Sequence, residues 1–165
     1  MDQFHRAIAH HVYIDQAIEA RLTDTNSAYI AHDVGELPIE PGDLLCSARR
    51  AAYRSIADRA QNIGDGIRSH CDIAIKVDET NERVLVIGGN VRGAVRLKLL
   101  AANFDDKEES YASVRSVGLG TRTIFAHLKL RAEPITGDAL EGSPTIKTLM
   151  NSEERFAWLR GRLAF

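Results

Sequence analysis

Ser69-His70-Cys71-Asp72-Ile73-Ala74-Ile75-Lys76-Val77, followed by Ile87-Gly88-Gly89-Asn90-Val91, is the stretch on which the fold turns. Both segments read as strands, with a His at the entry of one and an Asn at the exit of the next. Alternate side chains of a strand leave on opposite faces, so Cys71, Ile73, Ile75 and Val77 form an apolar row opposite His70, Asp72 and Lys76. His70 therefore points away from Cys71, and these neighbours in sequence cannot act as nucleophile and base, which must come within hydrogen-bond reach.

Working outward, Asp78-Glu79-Thr80-Asn81-Glu82 is a polar turn leading into Val84-Leu85-Val86-Ile87, a hairpin pattern. Gly88-Gly89 lets the backbone bend in a tight turn before a further strand, in which Val91, Val95, Leu97 and Leu99 oppose Arg92, Arg96 and Lys98. Residues 103–113 are charged and read as a mobile connection. A last strand is expected near 121–130, with Ile124, Ala126, Leu128 and Leu130 on one face. Upstream, Phe4, Ala7, Ile8, His11, Ile14 and Ile18 recur at helical spacing until the turn formers at 23–27. A loop through Gly35, Pro38 and Pro41 delivers a short strand at 44–48, and a helix follows over about 51–62, closed by Gly64-Asp65-Gly66. Ser152-Glu153-Glu154 starts a final helix with an N-cap and an acidic first turn.

These elements describe an α+β domain: an antiparallel sheet of about five strands with helices on one side. The 165 residues suit a single domain over 1–165 that buries roughly 70% of its unfolded surface. A net charge of −2 gives no electrostatic footprint for nucleic acid. No run of about 18 apolar residues and no leader pattern follows Met1, so no membrane span is expected. The chain reads as cytoplasmic unless a specialised route or a longer precursor exports it. Its two cysteines, Cys46 and Cys71, lie in apolar strand-like runs and read as buried thiols, with a single bridge between neighbouring strands as the alternative.

A His at one strand's entry and an Asn at the adjacent strand's exit can lie side by side, because a hairpin brings its open ends together. The Asn oxygen can then fix the imidazole tautomer, as a carboxylate does in a hydrolytic triad. His70 and Asn90 are the candidate pair, and Asp72, two residues on from His70, can assist it. His10 and Tyr13, three apart, share a helix face and are candidates to line the site. Arg49, with Arg50 and Arg54, forms a basic cluster that reads as a solvated helix face, with phosphate or acidic-substrate binding as the alternative. Adjacent His10 and His11 diverge around a helix and lack the four-residue spacing of a zinc pair, so neither metal nor cofactor is expected. Gly88-Gly89-Asn90 lacks the spacing of a phosphate loop.

Gly42-Asp43-Leu44-Leu45-Cys46, His70-Cys71-Asp72-Ile73 and Gly88-Gly89-Asn90-Val91, with His10-His11-Val12-Tyr13 upstream, together resemble an uncharacterised bacterial domain family related to the CHAP and NlpC-like cell-wall cysteine peptidases. The resemblance covers about residues 4–130 and leaves 131–165 as a C-terminal extension. It implies a papain-like fold in which the Gly-Asp segment opens the first strand, His70 begins the next, and Asn90 orients it. Such enzymes carry a nucleophilic Cys at the start of a helix upstream of the first strand, and this chain begins after that point. The implied activity is a peptidoglycan amidase or endopeptidase-like hydrolysis, with peptidoglycan or a muropeptide as partner. The nucleophile is then either lost or supplied by an N-terminal fragment or partner chain that completes the core. The alternative is a non-catalytic cell-wall-binding or protein-interaction module of the same fold.

Overall fold

Two strands pin the centre of the sheet: β2 (Leu44–Ala48) and β3 (Ser69–Asp78) run antiparallel, with Cys46 directly opposite Cys71. The computed structural model describes residues 7–48, 53–91, 93–104, 112–115, 124–132, 142–144, 146–148 and 151. The chain divides into two compact units, Met1–Ile135 and Thr136–Phe165. In the second, Lys147 N donates to Ser143 O (3.0 Å) and Thr148 Oγ1 to Pro144 O (2.8 Å). The final helix expected from Ser152 lies outside the described residues.

In the first unit, helix α1 (His10–Thr23) is followed by β1 (Tyr29–His32), β2, a short helix α2 (Ile56–Ala60), β3, β4 (Arg83–Val91), β5 (Ala94–Phe104), β6 (Ala112–Arg115) and β7 (Ile124–Leu130). The α+β class holds. Among the described residues the sheet has seven strands in the order β1-β7-β2-β3-β4-β5-β6, and every neighbouring pair is antiparallel. The five expected strands are all present. The two additional ones, β1 and β6, are four-residue strands at the two edges of the sheet. β1 is a short run between the turn formers at 23–27 and the loop from Gly35, and β6 begins inside the run 103–113 assigned to a mobile connection. β1 is held by pairing with β7, about a hundred residues on, which local pattern does not report, whereas β6 pairs back on β5, the strand just before it in the chain.

α1 covers one sheet face. Ile14, Ala17 and Ile18 pack with Ala31, Cys46, Ala48, Cys71, Phe125, Ala126 and Leu128. Ile8, assigned to the helix's apolar stripe, precedes the helix and is fully exposed. A second core of Ile39, Leu45, Ala74, Val84, Val86, Leu100 and Ala102 forms on the opposite face. Both sides of the central strands are thus buried, which is why Leu45 and Cys46, adjacent and oppositely directed, are each essentially inaccessible. Arg59 ties α2 to α1 through paired hydrogen bonds of 2.6 Å to both oxygens of Asp15.

The expected polarity of β3 is corrected in two ways. A bulge between Ala74 and Lys76 adds a residue, so Val77 joins the face of Ala74 and packs against the second core instead of continuing the row of Cys71 and Ile73. Ile73, on the row expected to be buried, is 44% exposed, whereas His70 and Asp72 are 5% and 7% exposed. Burial of the pair follows from its position over β4, where Gly88 supplies no side chain.

The Gly88-Gly89 turn is also corrected. Gly88 lies within β4, opposite Arg96, and the chain reverses into β5 only after Val91, which pairs with Ala94. Gly93 has φ +75° there, a conformation that favours glycine.

Candidate functional site

His70 and Asp72 leave β3 on the same face, two residues apart, and their side chains meet: His70 Nε2 lies 3.0 Å from Asp72 Oδ1. The other carboxylate oxygen, Oδ2, accepts a 2.6 Å hydrogen bond from Lys98 Nζ on β5. Burial alone raises the Asp72 pKa, but the hydrogen bond from His70 and the hydrogen bond and charge of Lys98 outweigh it and hold the carboxyl below its ordinary range. Asp72 is therefore an anion with each oxygen assigned: one to a cation, one to the imidazole. His70 Nδ1 forms no hydrogen bond among the described residues.

Room for this pair comes from Gly88. A Cβ built there would collide with Asp72 Oδ1, stand 2.9 Å from His70 Nε2 and 3.0 Å from Val91 Cγ2. No residue with a side chain fits beneath the pair without displacing it.

His10 approaches from α1. Its Nδ1 accepts the main-chain N–H of Cys71 (3.0 Å), and its ring lies 5.2 Å from that of His70, centroid to centroid. The register explains the first contact. Asp72 N–H must point toward β2 and Cys71 N–H toward β4, because hydrogen bonds alternate along an antiparallel strand. Pairing of β3 with β4 begins at Ile73↔Ile87, so Cys71 N–H has no strand partner and the imidazole takes its place. An acceptor role for Nδ1 means that the His10 proton sits on Nε2. Tyr13 packs edge-on against His10 at 5.9 Å and donates its hydroxyl to Ala7 O (2.6 Å).

Of the sequence-derived candidates, His10, Tyr13, His70 and Asp72 thus gather at one end of β3. Asn90 does not complete the pair. No hydrogen bond joins it to His70, it is exposed, and it adopts φ +53° in the irregular segment where the β4–β5 register shifts between Gly88 and Val91. The bulge removes Asn90 from the alternation that would have carried its side chain to the open end of the hairpin, and Asp72 occupies the place intended for it. Arg49 lies outside the described residues. Among those described, no cluster of His, Cys, Asp and Glu suits a metal ion.

Cys46 and Cys71 are joined as a disulfide across β2 and β3, so the bridge replaces the expected pair of buried thiols. It sits between His70 and Asp72 in sequence but on the other sheet face. The alternating pattern already placed Cys71 there; its opposition to Cys46 follows only from the strand register.

Sequence reasoning also passed over a second buried pair. His127 Nε2 lies 2.8 Å from Asp43 Oδ2, both side chains at most 1% exposed. Asp43 further accepts from Leu130 N (2.9 Å), Glu40 N (2.8 Å) and Lys129 Nζ (3.2 Å). It binds the start of β2 to the end of β7. Its depth and its saturation with partners mark a structural staple, and the only early signal was an acid in Pro41-Gly42-Asp43 just ahead of an apolar strand.

No helix among the described residues is long and apolar enough to cross a membrane. Comparison with curated proteins finds no match, and comparison with solved structures finds none. The sequence does match a family profile over residues 1–107 of its 165. The chain belongs to that family, described as an uncharacterized protein conserved in bacteria (DUF2272).

Proposed function

We propose that this domain is a peptidoglycan-directed amidase- or peptidase-like unit in which His70 is the general base and Asp72, in place of Asn90, orients it. The observation that carries the reading is the 3.0 Å contact of His70 Nε2 with a carboxylate whose second oxygen is held by Lys98. A base needs one nitrogen anchored to fix its tautomer and the other available for the transferred proton. The bacterial family fits a cell-wall substrate, as does the disulfide, because such bonds persist in oxidising compartments such as the bacterial periplasm.

Both cysteines of the sequence are consumed by that disulfide, so a thiolate nucleophile in this reading comes from another polypeptide segment. The same observation favours the second reading, a cell-wall-binding or interaction module that keeps the histidine pair without cleavage.

Release of muropeptides from purified peptidoglycan, with any N-terminal partner segment restored, tests the first. His70→Ala is expected to lower the rate by about 10³-fold or more. Equal release by wild type and variant removes it. Co-sedimentation with peptidoglycan without turnover supports the second reading, and failure to sediment removes that one.

A further inference from the structure

The face of β3–β5 that carries His70 and Asp72 also carries two cations. Gly88 is directly opposite Arg96 and Val86 opposite Lys98, so both basic side chains leave β5 on the side toward which a Gly88 Cβ would meet His70 and Asp72. Lys98 is committed to Asp72 (2.6 Å), and the two charges cancel. Arg96 meets no acid among the described residues. It is exposed, and its Nε donates to Val91 O (3.0 Å), which folds the side chain back along the hairpin beside Gly88. Its terminal nitrogens meet no acceptor among the described residues. Among the described residues the neighbours on this face are His70 and Asp72 from β3, Val86, Gly88 and Val91 from β4, and Lys98 from β5, and Asp72 is the one acid of that set.

One guanidinium that meets no acid among the described residues, on the sheet face that carries His70, favours an anionic ligand. A guanidinium tethered through Nε presents its remaining N–H groups in a planar fork that matches a carboxylate. We propose that Arg96 is a specificity-determining residue that binds a carboxylate of the substrate next to His70. The inference rests on the reading of His70 as the reacting end of the site and adds the substrate class: a peptide bearing a free carboxylate, as opposed to a neutral one.

The test is NMR titration of the full chain with N-acetylalanine and, separately, with the uncharged N-acetylalaninamide, following the His70 ring and Arg96 Nε signals. The carboxylate is expected to shift both signals and to bind about tenfold or more tighter than the amide, the difference that one charge-assisted pair supplies. Arg96→Gln, at an exposed position, is expected to abolish that preference, and Arg96→Lys to restore part of it. Equal binding of both probes, no shift with either, or an unchanged preference in Arg96→Gln overturns the proposal. Muropeptide release that depends on His70 but not on Arg96 removes this inference and leaves the general-base reading standing.

Discussion

Gly88 and Asp72 compete for one volume: the position of a β-carbon on Gly88 is already taken by Asp72 Oδ1, with His70 Nε2 2.9 Å away. The smallest side chain is enough to break the pair. Gly88→Ala is expected to destabilise the fold by about 1–3 kcal/mol through overpacking and to separate His70 from Asp72. Denaturant unfolding reads the first effect, and changed NMR chemical shifts of the His70 ring read the second. A variant with wild-type stability and unaltered His70 ring shifts contradicts the assignment of Gly88 as the floor of the site.

The disulfide makes an independent prediction about the same strand. Cys46 and Cys71 close a loop with a sequence separation of 25. Restricting the unfolded chain over that span is worth about 3 to 4 kcal/mol by the loop-entropy relation. Replacing both cysteines by Ala is expected to cost that amount, and a reducing agent should lower the wild type's melting temperature without affecting the double variant. Equal melting of the wild type with and without reductant contradicts the bridge.

How much of this was legible in the sequence depends on whether strict alternation persisted. β2 was bounded at Leu44 and Ala48, and the β3–β4 hairpin followed from a polar turn between two apolar runs, because both obey local rules. His70 and Asp72 were placed on one face by the same period. The alternation failed at irregularities: the bulge near Ile75 moved Val77 to the other face, and the register shift after Gly88 displaced Asn90. A single inserted residue reverses every later side chain, and nothing in one sequence marks where the insertion falls. Lys98 was visible only as part of a polar row with Arg96. Its bond to Asp72 spans two strand pairings and 26 residues. The His127–Asp43 pair spans 84 residues and was beyond any local reading.

Arg59 is fully buried, and its guanidinium binds Asp15 with two hydrogen bonds while also donating to Asp65 O and Tyr53 OH. Asp15 in turn accepts from Gly64 N, so one ion pair holds α1, α2 and the loop after it. Removing one charge strands the other in the interior. Arg59→Met is expected to cost about 3–5 kcal/mol, whereas Arg59→Met combined with Asp15→Leu should recover much of the loss because no lone charge remains. A double-mutant cycle by chemical denaturation measures this, and simple additivity of the two losses contradicts the coupling.

Acid stability should trace to Asp43. Burial raises its pKa, but the hydrogen bond from His127 and those from the Leu130 and Glu40 main-chain N–H groups reverse the shift and leave the carboxyl below its ordinary range. A carboxyl with a lowered folded-state pKa contributes stability that is fully present above its unfolded pKa, about 3.9, and is lost as pH falls through the folded value. Asp72 and Asp78 are shifted in the same direction, and Glu36, hydrogen-bonded by Arg21, is lowered to about 2. The wild type should therefore lose stability steadily as pH drops below about 4. Asp43→Asn should be less stable than wild type at neutral pH, and its stability should fall less steeply on acidification. Among the described residues the other three carboxyls contribute to the remaining slope. Unfolding free energies measured across pH 2–6 check the sign, and a variant whose slope equals or exceeds that of the wild type contradicts the role given to Asp43.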